Sequence, residues 1–215
     1  MSFLNQLKTQ AEILQSQQAR QQLSVDGSLA QTEEACRSAW AYLQELGRQL
    51  KVIAPAGPAL SVDGKTPWPA MRLVDFRVDA RKKTLRGKEV FDYLAMGWKI
   101  VPLHGEPVSA CVSVNFPPDL ERVQQRLGLG RIEHERKEVR HPEKNSLLAY
   151  CFEFVTESRG GVVITPDHDK AELAFRLSNL GGFELVNTSW PARRVGPDLM
   201  DELAKRIVQQ PSRFV

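Results

Sequence analysis

MRLVDFRVDARKKTLRGKEVFDYLAMGWKIV, residues 71–101, is the stretch on which the reading of this chain turns. In its first half Val74, Phe76, Val78 and Ala80 recur at every second position, and Asp75, Arg77, Asp79 and Arg81 fill the places between them with alternating sign. Successive side chains on a strand point to opposite faces, so this pattern predicts a strand with one face in the core and one in water. The return half carries Val90, Leu94, Met96, Trp98 and Ile100 on one face and Phe91, Tyr93, Ala95 and Val101 on the other. Apolar residues on both faces predict a strand covered from both sides, at the centre of a sheet. Together the halves read as a long β-hairpin whose tip gathers Arg81, Lys82, Lys83, Arg86 and Lys88.

Upstream of the hairpin the periodicity is helical. Leu4, Leu7, Ala11 and Leu14 fall at alternating steps of three and four residues, facing a polar side made mostly of glutamine at 15, 17, 18, 21 and 22. A stripe this narrow resembles a short coiled-coil seam and marks those four residues as candidates for self-association or partner binding. Asp26-Gly27 reads as a turn, and Ser28 with Gln31 as the capping box of a second helix running to about residue 52, with Cys36, Trp40, Leu43, Gly47 and Leu50 on its apolar face. The two helices would form an antiparallel helical hairpin. Pro55, Pro58, Pro67 and Pro69 then predict a linker, so the chain divides into a helical segment 1–54, a Pro/Gly-rich linker 55–70 and an antiparallel α+β domain 71–215.

Downstream, Val108 to Phe116 alternates as a third strand, and Pro117-Pro118-Asp119 starts a helix with Leu120, Val123 and Leu127 as its packing stripe. RIEHERKEVRHPEKN, residues 131–145, has charges on both faces and fits an exposed edge ribbon, where charge also blocks pairing with other chains. Leu148 to Phe154, a turn at Arg159-Gly160-Gly161, and the run Val162-Val163-Ile164 read as a second hairpin. Two further strands and a helix from Pro197 complete the order. Short turns between consecutive strands imply an α+β fold with a largely antiparallel sheet of about 7–8 strands and two covering helices.

Composition bounds the class. Hydrophobic residues at 42% and charged residues at 26% are ordinary for a soluble globular protein, and no apolar run reaches the roughly 20 residues that span a bilayer. A basic, apolar leader is not visible at the start of the chain, so the expected location is cytoplasmic. Cys36, Cys111 and Cys151 are odd in number and widely spaced, which predicts reduced structural thiols. The four histidines, at 104, 134, 141 and 168, have no metal-ligand spacing, and the neighbours in Asp167-His168-Asp169 diverge. No nucleophile motif or phosphate-binding glycine loop occurs, so neither catalytic residues, cofactor nor metal are expected.

Three functional readings follow. The leading one is a non-enzymatic interaction or assembly protein that binds a protein partner or a second copy through its N-terminal helices. The second is a nucleic-acid-binding protein using the hairpin tip, since nine Lys or Arg face four acids between residues 65 and 99. The third is a small-ligand carrier or enzyme with a pocket between sheet and helix near Tyr93, Trp98 and Tyr150. The runs KTPWPAM (65–71), HERKEVRHPEKN (134–145) and QQPSRF (209–214) resemble an uncharacterised family of bacterial hypothetical proteins. That resemblance implies a bacterial cytoplasmic origin and carries over no activity and no site residue.

Overall fold

The computed structural model describes residues 3–215, with side chains from Val25 onward. The chain forms α1 (Phe3–Ile53), β1 (Met71–Leu85), β2 (Lys88–Pro102), β3 (Ser109–Val114), α2 (Pro117–Leu129), β4 (His134–Arg140), β5 (Leu147–Val155), β6 (Ser158–Asp167), β7 (Glu172–Ser178), β8 (Leu185–Pro191) and α3 (Pro197–Ile207). The class is α+β and every strand pairing is antiparallel. The strands form two sheets, one of five in the order β1-β2-β6-β7-β8 and one of three in the order β3-β5-β4.

The expected helical hairpin is one helix. α1 passes through Asp26-Gly27 without a turn, and Ser28 is helix interior, its carbonyl accepting a bond from the Thr32 hydroxyl at 2.8 Å. Glycine inside a helix costs about 1 kcal/mol against alanine. Packing outweighs that cost here, because Leu29, Thr32, Ala35, Cys36, Ala39, Leu43 and Leu50 are all buried along one face. Asp26 also holds Lys88 of the β1–β2 tip at 3.4 Å. Gly47 lets the helix close on β1, for a Cβ there would stand 2.8 Å from Val78 Cγ2. Burial pushes the Cys36 thiol up to about 12, with Glu33 adding to the rise, so it is an inert core group.

β1 and β2 form the long hairpin, with a difference in register. A β-bulge lies between Val74 and Arg77, where Asp75 takes a left-handed φ of 55°. The extra residue turns Leu73 and Phe76 both inward and leaves Val74 half-buried on the other side. β2 lies beside the edge strand, and β6 occupies the centre of the sheet. The Trp98 face of β2 is buried, whereas Tyr93, Ala95, Gly97 and Lys99 on its other face are only partly covered. α1 and α3 cover the core face.

The expected second hairpin at residues 148–164 does not form. β5 belongs to the three-stranded sheet and β6 to the five-stranded one, so the chain changes sheets at residues 156–158. Gly160 and Gly161 are strand residues, not a turn. Gly160 is opposite Trp98, and a Cβ on it would meet indole Cε2 at 2.7 Å and Cζ2 at 2.9 Å. In a strand, glycine marks close approach as readily as a turn.

Residues 55–70 pack as a seam between the sheets. Leu60 joins the larger core and Val62 the smaller one, and Trp68 touches both, stacking on Phe154 at 5.8 Å and meeting Phe183 edge-on at 5.5 Å. Arg126 of α2 grips the Ser61 carbonyl at 3.0 Å. Within the seam burial opposes ionisation of Asp63, but bonds from the Thr66 and Lys65 amides and the Thr66 and Ser61 hydroxyls outweigh it and hold its carboxyl at about 2. A carboxyl lowered from about 3.9 in the unfolded chain stabilises the fold fully above about pH 4 and ceases to do so as pH falls through about 2. The melting temperature is therefore expected to fall more steeply from pH 4 to pH 2 in the native chain than in Asp63→Asn. Parallel slopes would show that the seam does not hold the ionised form.

The smaller sheet corrects the cysteine expectation. Cys111 on β3 and Cys151 on β5 form a disulfide, with Cα atoms 6.5 Å apart across 40 residues of sequence. Cys111 is opposite Glu153 and Cys151 opposite Ser113, so the bond runs diagonally over the sheet's outer face. Pairing partners 40 residues apart come together only through strand register, which residue counting does not reveal. β4 is the exposed edge that its charges predict, with no buried residue.

Candidate functional site

The hairpin tip is basic in sequence but balanced in space. Lys82 bonds Glu89 at 2.8 Å, Lys83 reaches Asp92 at 3.0 Å and Arg81 the same carboxylate at 3.7 Å. Arg86 pairs with Asp169 at 2.6 Å and Lys88 with Asp26. Each of the five cations thus has a carboxylate partner, two of them supplied by segments distant in sequence.

The residues expected to line a pocket are not brought together. Tyr93 and Trp98 project from opposite faces of β2, the first bonded to Asp79 at 3.0 Å and the second in the core against Phe76. Tyr150 lies in the other sheet, under the Arg136 guanidinium at 3.9 Å. Leu4, Leu7, Ala11 and Leu14 have side chains outside the described residues. Asp167 pairs with Lys170 at 3.3 Å and Asp169 with Arg86 at 2.6 Å. His168 is buried, its Nε2 donating to the Phe91 carbonyl at 2.9 Å, while Phe91 N–H donates to Glu33 at 2.9 Å. That set joins α1, β2 and the β6–β7 turn.

A different place collects unsatisfied charge. Where the chain crosses between sheets, two adjoining cavities of about 280 and about 450 Å³ share Arg131 and Arg159. The walls are held firmly. Buried Asn179 donates to the carbonyls of Leu129 and Arg159 at 2.8 and 2.7 Å, and Ser158 donates to Gly130 at 3.0 Å. These bonds tie the end of α2 to the start of β6, and Arg131 leaves that junction with a φ of 50°.

On the open face of the large sheet, Gly97 of β2 stands directly opposite Gly161 of β6, and Arg77 of β1 opposite Gly97. Two facing glycines on the half-exposed side leave a hollow where side chains would otherwise meet. One step along, Lys99 and Arg159 are directly opposite each other. Like charges in that position destabilise a sheet. Asp75 at 3.4 Å and Glu157 at 3.7 Å compensate Lys99 alone. Among the described residues, Arg77, Arg131 and Arg159 have no carboxylate within ion-pair distance. Sequence reading misses this set because its members come from three segments. The one local signal, Arg159-Gly160-Gly161, looks like a turn.

Among the described residues no three His, Cys, Asp or Glu side chains gather as a metal site, and no helix is long and apolar enough to cross a membrane. No protein-family profile, curated protein or solved structure matches this chain.

Proposed function

We propose that this is a non-enzymatic interaction protein in which the two-sheet body carries α1 as an assembly or partner-binding rod. The observation that carries this reading is the continuity of α1. Among the described side chains its buried face runs from Leu29 to Leu50, and the same unbroken helix starts at Phe3 and bears the Leu4, Leu7, Ala11, Leu14 stripe of the sequence. Helices in proteins gain most of their stability from packing an apolar face rather than from propensity. A second copy of the same stripe is the simplest such surface, in the manner of a two-stranded coil.

The test is mass in solution. Light scattering coupled to size exclusion is expected to give a multimer for the native chain, and a monomer for Leu7→Lys/Leu14→Lys or for a chain starting at Val25. Circular dichroism should show the sheet body still folded in both. A native chain that runs as a monomer, or a double variant of unchanged mass, would remove self-association from consideration.

A further inference from the structure

The geometry points to a binding site for a phosphate group in the hollow lined by Gly97 and Gly160, held by Arg77, Arg131 and Arg159. Three observations converge on it. Gly97 of β2 and Gly160 of β6 both line the cavity, and Gly97 faces a further glycine, Gly161, across the strands. Three guanidinium groups from three separate segments, β1, the α2–β4 loop and β6, border the same cavity of about 450 Å³; the carboxylate that also lines it, Asp75, pairs with Lys99, and the three arginines have no carboxylate at ion-pair distance among the described residues. The sheet places Lys99 directly opposite Arg159, and Asp75 and Glu157 compensate Lys99 but not Arg159, which keeps its charge for a ligand.

The disposition favours a phosphate over a carboxylate. A carboxylate is planar and is satisfied by one bidentate guanidinium. Donors arriving from three directions suit a tetrahedral oxyanion with several acceptor oxygens and up to two charges. The adjoining cavity of about 280 Å³, sharing Arg131 and Arg159, leaves room for the organic part of a phosphate ester. This site is distinct from the hairpin tip, where every cation is already paired.

Why the floor holds glycine at position 97 is informative. A Cβ there meets only the Gly160 carbonyl, at 3.8 Å, an ordinary contact. The fold therefore tolerates a side chain at 97, and its absence keeps the hollow empty. Gly97→Val fills the floor without touching a charge, whereas Arg131→Ala/Arg159→Ala removes charge without filling space. Both arginines are exposed, so their loss leaves no buried group unpaired.

The experiment uses the full chain at low salt, with inorganic pyrophosphate, a mononucleotide and a short single-stranded DNA as probes, in calorimetric titration and thermal melts. Pyrophosphate is expected to raise the melting temperature by about 3–6 °C at ten times its Kd. The Kd should weaken at least tenfold in Arg131→Ala/Arg159→Ala and in Gly97→Val, and stay unchanged in Lys82→Ala/Lys83→Ala at the hairpin tip. Saturable binding of pyrophosphate or mononucleotide that the groove variants abolish supports the site with a small phosphate ester as ligand. DNA binding lost in the same variants, tighter than the mononucleotide and falling steeply with salt, supports it with a nucleic-acid phosphate as the source. No binding by any probe overturns the proposal. So does binding that both groove variants retain while folded.

Discussion

Phe214→Ala is expected to lower the free energy of unfolding by about 4 kcal/mol, the usual scale for emptying a buried aromatic site. Phe214 is the penultimate residue, yet it is fully buried, edge-on to Phe175 at 5.2 Å and beside Trp190 at 6.2 Å. The tail is led there by Glu202 on α3, whose backbone carbonyl accepts from the Ser212 hydroxyl at 2.7 Å and whose carboxylate accepts from the Arg213 amide at 2.5 Å. Removing Phe214 thus opens the core between β7, β8 and α3. Urea unfolding monitored by tryptophan fluorescence measures the loss, with deletion of the exposed Val215 as a control that should change little. A cost under about 1 kcal/mol would mean that the tail is not docked in solution.

Gly160→Ala is the second large effect, expected at about 3 kcal/mol or more, at the upper end for overpacking a core. The added Cβ falls within 3 Å of two carbons of the Trp98 indole and closer still to its nitrogen. That ring is buried against Phe76 at 5.7 Å, so making room for the new carbon means displacing a packed core side chain. The comparison is Gly97→Ala, whose Cβ meets nothing nearer than 3.8 Å. The two substitutions sit one strand apart and change the same atoms. Denaturant midpoints that differ by little would place Trp98 elsewhere than over Gly160.

Local signals made much of this fold readable. The α2 start at Pro117-Pro118, the charged edge β4, and the last two strands and α3 all follow from short-range periodicity and turn chemistry. These depend on neighbours within a few residues, which is the range over which a pattern carries information. The readings that failed share a cause. Asp26-Gly27 has turn chemistry, but the buried side chains that follow hold the helix straight. Arg159-Gly160-Gly161 has it too, but Trp98, 62 positions earlier, needs the glycine space. A local preference of about 1 kcal/mol yields to tertiary packing worth several.

The candidate site was less legible than the fold. The charge excess at residues 81–88 was evident in sequence, but not that Asp26 and Asp169 return to pair with it. Conversely, Arg77, Arg131 and Arg159 are far apart in sequence, and the register of β1, β2 and β6 together with the placement of the α2–β4 loop brings them around one hollow.

By itself, the sequence determined the α+β class, the antiparallel strands and the identity of most core residues, because alternation and helical spacing are properties of contiguous chain. The tertiary structure decided the division into two sheets, the single N-terminal helix, the Cys111–Cys151 bond and the arginine-framed hollow. Each of those depends on which distant segments lie side by side, and that is settled by the packing of the whole core.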